Sequence, residues 1–359
     1  MYKSKLLLCG LFFGISLQSF AQKSWIPFND AHLTYQGRIL ETNDAAVLCW
    51  SGNSVAIHFK GTSLAAIIKE ADTANYYNLI VDHQLKGKLH FDTVKKSYTL
   101  VKNLPAGEHE VELFKITEWD KGKTYFYGFE LNKNEKVLAP KLSPKRKMEF
   151  YGNSITCAYG VDAPLHDSPL GYFENNYESY AAITARHFNT QYSCIAKSGI
   201  GIMLSWFPLI MPEMYDRIDP TDSNSKWDFS KYTPDLVVIN LLQNDSWLVN
   251  KPEHPEFKHR FGTQMPAEDF IIKSYQDFVK TIRAKYPKAQ IICMLGNMDI
   301  TRKGSSWPSY VQKAVSDLND NKIYTLFVPF KETSGHPSVK EQEALAQGLI
   351  DFIDKNIKW

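Results

Sequence analysis

Four residues that could act together in acyl transfer each follow a separate apolar stretch in the second half of the chain. Ser154 lies in GNSIT, Gly199 in SGIG, Asn244 in LQND and His336 in SGHPS. A serine with a histidine as its base is the pair that nucleophilic acyl transfer requires. The N–H groups of Ser154 and Gly199 and the side-chain amide of Asn244 would donate to the oxyanion of a tetrahedral intermediate. The sequence therefore predicts an acyl-transfer site.

Each of these residues also has an ordinary structural interpretation. Ser154 could be a helix N-cap, and GNSIT lacks the second glycine of a G-x-S-x-G elbow. Glycines such as Gly199 are common after strands, and Asn244 could be a turn residue. The order of all four residues, each at the end of a strand, favours the chemical interpretation.

The segments that would position these residues alternate between strand and helix patterns. KMEFYG, QYSCIAK, DLVVINLL, AQIICMLGN and KIYTLFVPF indicate strands, and amphipathic segments such as AEDFIIKSYQDFVKTIRAKYP indicate the helices. This alternation predicts a parallel sheet with helices on both faces. Chemistry in such a sheet takes place at the carboxyl ends of the strands, where all four candidates fall.

The first half of the chain contains only strand signals. AAVLCW, SVAIHF, LAAIIKE, YYNLIVD, KLHFDTV, YTLV, HEVELFKIT and TYFYGFELN follow one another between turn residues. Such a series predicts a β-sandwich or jelly roll. The polar, proline-containing stretch after it indicates a linker. We therefore predict a jelly-roll domain over 22–138, a linker over 139–146 and an α/β domain over 147–359.

The N-terminus has the pattern of a signal peptide. Two lysines precede an apolar run that is too short to span a bilayer, and SFA supplies small residues for cleavage after Ala21. We expect residues 1–21 to be removed and the mature protein to be periplasmic or secreted. A lipid anchor on Cys9 is the weaker alternative, because Leu8 before it is not small and the apolar run continues past it.

Charge and cysteine content exclude several functions and leave others open. The net charge of +2 in 359 residues gives no electrostatic reason to bind nucleic acid or an anionic membrane. Aromatic residues make up 13% of the chain, which suits a carbohydrate binder, although a β-rich core is the more common reason for such a content. The wide cysteine spacings predict no metal site, and no cofactor is expected. A disulfide between Cys157 and Cys194 is conceivable in an exported protein. Oligomeric state stays open.

The four blocks resemble those of the SGNH (GDSL-type) hydrolases, whose name lists Ser, Gly, Asn and His. YYNLIVD, LPAGEHEVELFKITE and GNSITCAYG, in a jelly roll followed by an SGNH domain, are similar to carbohydrate esterase family 2. The resemblance covers essentially the whole mature chain. It implies a flavodoxin-like SGNH hydrolase domain preceded by a jelly roll, and a secreted esterase that deacetylates plant polysaccharides. It also implies Ser154 as nucleophile, His336 as base, and Gly199 and Asn244 as oxyanion donors.

Three positions depart from the family pattern. Asn153 replaces the usual aspartate of the first block and Leu242 the usual glycine of the third, and no acid stands two or three residues before His336. The histidine could work in a dyad held by a main-chain carbonyl. Alternatively Glu332 could substitute as the acid, or catalysis could have been lost and binding kept. The retained serine and histidine favour a Ser154–His336 dyad.

Three tryptophans near the strand ends could stack on sugar rings, namely Trp206, Trp247 and Trp307. Each has an equally good structural interpretation. The resemblance implies an acetylated polysaccharide or oligosaccharide as the substrate. A non-catalytic carbohydrate-binding protein and an SGNH lipase or thioesterase are the competing interpretations.

Overall fold

The computed structural model describes residues 23–164 and 167–359. The predicted signal peptide, its cleavage site and Cys9 lie outside the described residues. Within them, no helix is both long and apolar enough to cross a membrane.

The first domain consists of antiparallel strands. They are β1 (Lys23–Pro27), β2 (Leu33–Gln36), β3 (Ile39–Glu41), β4 (Ala46–Leu48), β5 (Ser54–Gly61), β6 (Leu64–Glu70), β7 (Tyr77–Val81), β8 (Gln84–Leu89), β9 (Lys96–Val101), β10 (Gly107–Lys115), β11 (Thr124–Asn132) and β12 (Lys136–Val137). They form two six-stranded sheets, one in the order β3-β4-β11-β6-β9 with β1 on β11, the other in the order β12-β5-β10-β7-β8 with β2 on β5.

Alternating side chains hold the two sheets together. In β5, Val55, Ile57 and Phe59 are buried while the residues between them are partly exposed. The inward residues meet Val111 of β10 and Phe129 of β11 in a common core. The predicted sandwich is therefore confirmed. The strand expected over KLHFDTV is wrong beyond Leu89, because β8 ends there and a turn follows.

The second domain is a parallel α/β layer structure. Its strands are β13 (Lys147–Gly152), β14 (Gln191–Ala196), β15 (Leu236–Asn240), β16 (Gln290–Leu295) and β17 (Ile323–Phe327). Its helices are α1 (Ser154–Cys157), α2 (Tyr180–His187), α3 (Met211–Met214), α4 (Gln243–Leu248), α5 (Pro255–Phe261), α6 (Glu268–Lys285), α7 (Trp307–Ser316) and α8 (Val339–Asn356).

The strand order in this sheet is β14-β13-β15-β16-β17, with every pair parallel. Helices α6 and α7 cover one face and α2 and α8 the other, each over its own apolar core. The predicted α/β fold of the SGNH type is thus confirmed. Because β13 has its chain neighbours β14 and β15 on opposite sides, the strand order reverses at its carboxyl end. Ligands bind at such switch points.

The cysteines do not form the disulfide that was considered for Cys157 and Cys194. Both are free and fully buried in the core beneath α2 and α8, as Cys49 and Cys293 are in theirs. Burial raises the pKa of the Cys194 thiol to about 12, so the reactive thiolate is scarce. That expectation was wrong because the two thiols serve as small core residues.

Candidate active site

Ser154 lies at the carboxyl end of β13, as the first residue of α1. The N-cap is Asn153, whose side chain accepts a hydrogen bond from the Ile155 amide at 3.1 Å. The N-cap interpretation of Ser154 is therefore wrong. The Ser154 amide stands at a helix start, where the first N–H groups have no acceptor within the helix. Ser154 is 5% exposed, so little of its surface is open to solvent.

Gly199 follows β14 in a backbone conformation that favours glycine. Its φ is +83°. A Cβ atom built there would lie 3.1 Å from the Phe207 ring and 3.4 Å from the Trp206 side chain. The absence of a side chain lets another group approach the backbone closely at this point.

Asn244 lies on α4, just past β15, and its amide is held at both ends. The Nδ2 group donates to the Ile200 carbonyl at 2.8 Å, and Oδ1 accepts from the Trp206 indole at 3.1 Å. The side chain is thereby fixed in a buried position. Because an amide nitrogen carries two hydrogens, the bond to Ile200 leaves a second one that can donate to an oxyanion.

A buried carboxylate next to Asn244 shapes the oxyanion loop, which we define as residues 197–204. Asp245 accepts hydrogen bonds from the amides of Ile202, Met203 and Leu204 at 2.7–3.1 Å. Burial raises the pKa of this carboxyl to about 6. Asp245 belongs to the LQND block, but no role was predicted for it; its position beside the expected oxyanion asparagine was the available signal.

His336 lies between β17 and α8, at the same edge of the sheet as Ser154. Its ring packs against Tyr159 with ring centres 4.8 Å apart, and the Tyr159 amide donates to the Ser154 carbonyl at 3.0 Å. Gln342 of α8 adds a second connection, because it donates to the Ile155 carbonyl at 2.9 Å. The structure thus brings the predicted serine and histidine to one place.

The acid nearest His336 is one that the sequence analysis missed. Asp167 places Oδ1 3.5 Å from Nδ1 of His336, which is an ion-pair distance and longer than an ordinary hydrogen bond. Within residues 23–164 and 167–359, Nδ1 has no hydrogen-bond partner, neither a carbonyl nor a carboxylate. Glu332 has an exposed side chain, and its backbone is in the left-handed region with φ +58°.

Burial lowers the pKa of His336, although the carboxylates of Asp167 and Glu118 oppose this effect. Lys331 adds to the lowering. The imidazole is therefore held in its neutral form, which is the form that a general base requires.

All three predicted tryptophans line one cavity beside the oxyanion loop. It encloses about 580 Å³ and is also lined by Ser246, Asn250, Lys251, Asp299, Ile300, Gly304, Ser305 and Ser306. Trp206 connects it to Asn244, and the Trp247 indole donates to Asp299 at 2.9 Å. Flat aromatic faces with polar groups between them suit a sugar ring. No cluster of potential metal ligands is found in the described part of the chain.

Comparison with known proteins gives consistent matches over both domains. A family model described as "Carbohydrate esterase 2 N-terminal" matches residues 35–140. The chain is 33% identical to Cellulase/esterase CelE of Acetivibrio thermocellus over 94% of its own length, but spans only 41% of CelE. It is 29% identical to an acetylxylan esterase / glucomannan deacetylase of Cellvibrio japonicus, over 97% of both chains.

A solved structure is similar to both domains together. It is a family two carbohydrate esterase from Clostridium thermocellum in complex with cellohexaose, with 32% identity and a TM-score of 0.79. The match covers 90% of this chain and 98% of that one.

Proposed function

Since the chain belongs to the family two carbohydrate esterases, we propose that it removes O-acetyl groups from plant polysaccharides or oligosaccharides of the xylan or mannan type. The observation that carries this proposal is that Ser154, Gly199, Asn244 and His336 each follow the carboxyl end of a strand of the parallel sheet, with His336 packed on Tyr159, whose amide donates to the Ser154 carbonyl. The printed names of the Cellvibrio japonicus relatives, acetylxylan esterase / glucomannan deacetylase, support the substrate class.

The proposed reaction begins with attack of Ser154 Oγ on the acetyl carbonyl, while Nε2 of His336 takes the hydroxyl proton. The oxyanion receives hydrogen bonds from the amides of Ser154 and Gly199 and from Asn244 Nδ2. The C–O bond to the sugar then breaks, and the imidazolium gives its proton to the departing sugar oxygen. Water, deprotonated by the same histidine, attacks the acetyl-enzyme, and the imidazolium returns that proton to Ser154 Oγ as acetic acid leaves and ionises to acetate.

We propose that Ser154 and His336 work as a dyad with Asp167 as a nearby charge. The unbonded Nδ1 and its distance of 3.5 Å to Asp167 support this arrangement over a hydrogen-bonded triad. A carboxylate at that distance still stabilises the imidazolium that forms during the reaction. Glu332 is the less favoured acid, because its side chain is exposed to solvent.

The direct test is acetate release from acetylated xylan and glucomannan, with 4-nitrophenyl acetate as a small substrate. We expect Ser154→Ala to lower kcat by about a thousand-fold or more on all three. Turnover equal to that of the unaltered protein would remove Ser154 from the mechanism. Saturable glycan binding without acetate release would instead support the carbohydrate-binding interpretation, and preference for long acyl esters would support a lipase or thioesterase.

The tryptophan cavity is proposed as the site for sugar rings beyond the acetylated one. Trp247→Ala should raise KM for acetylated xylan by about tenfold, because ring stacking contributes roughly 1–2 kcal/mol. KM for 4-nitrophenyl acetate, which has no further sugar rings, should stay unchanged. An equal change on both substrates would argue against a sugar-binding role.

Export is proposed from the N-terminal pattern. We expect N-terminal sequencing of protein recovered from outside the cytoplasm to begin at Gln22. An uncleaved N-terminus would contradict this proposal.

A further inference from the structure

The segment after β10 reaches from the first domain into the active site of the second. It turns through a short 3₁₀ helix, Trp119–Lys121. Trp119 packs against the core beneath α6 and α7, which includes buried residues of both domains. Immediately before it, Glu118 is 1% exposed. A carboxylate so completely buried must be bound by several donors to remain charged.

The donors to Glu118 come from the oxyanion loop. Its Oε2 accepts from the Ser198 amide at 2.7 Å and from the Lys197 ammonium at 3.2 Å, and its Oε1 accepts from the Ser198 hydroxyl. Ser198 is the residue before Gly199. The Glu118 carboxylate of the first domain therefore binds the backbone of the residue directly before Gly199.

The backbone of Glu118 is in turn hydrogen-bonded to the second domain. Its backbone amide donates to Glu174 at 2.8 Å, and Glu174 pairs with Lys121 at 3.1 Å. Asp120 shares Lys197 with Glu118, at 2.9 Å. This network fixes the position of the Glu118 carboxylate relative to both domains.

The charge of Glu118 also acts on His336. Its carboxylate is one of two that raise the pKa of this histidine against the effect of burial, the other being Asp167; Lys331 acts in the opposite direction. The same carboxylate thus binds the oxyanion loop directly and acts on His336 through its charge.

We propose that Glu118 is a positioning residue through which the jelly-roll domain completes the active site: it holds the oxyanion loop in place directly next to Gly199. This inference rests on the proposed esterase function. It gives the first domain a part in catalysis besides any part in binding carbohydrate.

The test compares Glu118→Gln with Glu118→Asp, on 4-nitrophenyl acetate, across pH. Gln keeps the size but removes the charge and one acceptor. We expect kcat to fall about 10- to 100-fold, less than for direct loss of an oxyanion donor, with KM nearly unchanged. Without the carboxylate that raises the pKa of His336, the acid limb of the kcat/KM profile should move to lower pH.

Glu118→Asp separates the effect on the position of the oxyanion loop from the effect on the pKa of His336. It keeps the charge but shortens the reach to Ser198, so kcat should fall while the acid limb stays near that of the unaltered protein. Ser198→Ala should lower kcat a few-fold without moving the acid limb, because only the hydroxyl bond to Glu118 is lost. This third variant keeps the test decisive if Glu118→Gln does not fold, which thermal melting would reveal.

Asp120→Asn is the matched control. It removes one of the two carboxylates that bind Lys197 but no bond to Ser198, so kcat should fall clearly less than in Glu118→Gln, by a few-fold at most. The positioning role is overturned if folded Glu118→Gln behaves like Asp120→Asn in kcat and in pH profile. If Glu118→Gln does not fold, an unchanged kcat in Ser198→Ala overturns it. A normal rate in Ser154→Ala would instead overturn the esterase function itself.

Discussion

The oxyanion side and the histidine side of the active site differ in how firmly they are held. On the oxyanion side, Asp245 binds three backbone amides, Glu118 binds Ser198, and Asn244 is bonded at both ends. On the other side, His336 packs on an aromatic ring, and its Nδ1 makes no hydrogen bond to the described residues.

This difference indicates that the oxyanion side is the more rigid part of the active site. Donors that are fixed before the reaction stabilise a developing oxyanion without reorganisation, and this is often the largest contribution to catalysis. A base needs a correct protonation state and reach more than a tight hydrogen bond. We therefore expect changes on the oxyanion side to cost more activity than changes around Nδ1 of His336.

The largest effect among these variants is expected for Asn244→Ala. It removes one proposed oxyanion donor. It also removes the hydrogen bonds that Asn244 makes with the Ile200 carbonyl and the Trp206 indole. We expect kcat on 4-nitrophenyl acetate to fall about 100- to 1,000-fold, with a smaller change in KM. Asn356→Ala, at the exposed end of α8, is the matched control and should have unaltered kinetics. A loss of only a few-fold would remove Asn244 from the oxyanion site.

Gly199→Ala should have the next largest effect. The new Cβ would contact Phe207 at 3.1 Å, and alanine is strained at a φ of +83°. We expect a kcat lower by roughly 10- to 100-fold and a free energy of unfolding lower by about 1–2 kcal/mol. Gly262→Ala, at φ +63° with open space around it, supplies the control for strain alone. Equal activity losses in both variants would contradict a specific role for Gly199.

Asp167→Asn should have a smaller effect on kcat and a clear effect on pH dependence. Because burial lowers the pKa of His336, the acid limb of kcat/KM should lie below about 6.5, the ordinary histidine value. Removing the Asp167 charge, which raises that pKa, should move the limb still lower. Since Asp167 is more than half exposed, kcat should fall by less than about tenfold.

Glu332→Gln is the matched variant for that measurement, since it removes the carboxylate that stands four residues before His336 in the sequence. Its rate and pH profile should be unchanged. A thousand-fold loss of kcat would identify Glu332 as the acid. It would also contradict the conclusion that the histidine side of the active site is the less firmly held.

The smallest effect is expected for Leu242→Gly, which should change stability and leave activity nearly unaltered. Leu242 adopts a φ of +77° where the family usually has glycine, yet its side chain is fully buried in the core. Relief of strain contributes roughly 1–2 kcal/mol, and loss of the buried side chain costs about 2–5 kcal/mol. Denaturant unfolding should therefore show a net loss of about 1–3 kcal/mol. A more stable variant would mean that strain outweighs packing.

The sequence predicted the four proposed site residues because parallel strands bring their carboxyl ends to one edge. Ser154, Gly199, Asn244 and His336 could each be placed from the strand before it, without knowledge of distant contacts. Alternation within the strands and periodicity of the helices were likewise local signals, and the fold class followed from them.

Asp167 and Glu118 could not be found in the same way. Asp167 lies in an irregular stretch between α1 and α2, where no periodicity constrains its position. Glu118 follows a strand of the other domain, so its approach to Ser198 depends on how the two domains pack. The Cys157–Cys194 expectation failed for a related reason, since sequence spacing carries no information on whether two buried thiols pair.

The central claim is that an acetyl group is carried by Ser154. Mixing the protein with 4-nitrophenyl acetate, quenching with acid within one turnover and mapping peptides by mass spectrometry tests this most directly. We expect an acetylated peptide that contains Ser154, formed in a burst and absent in Ser154→Ala. Full turnover with no acetyl group on Ser154, or with a stable acetyl group on another residue, would contradict it.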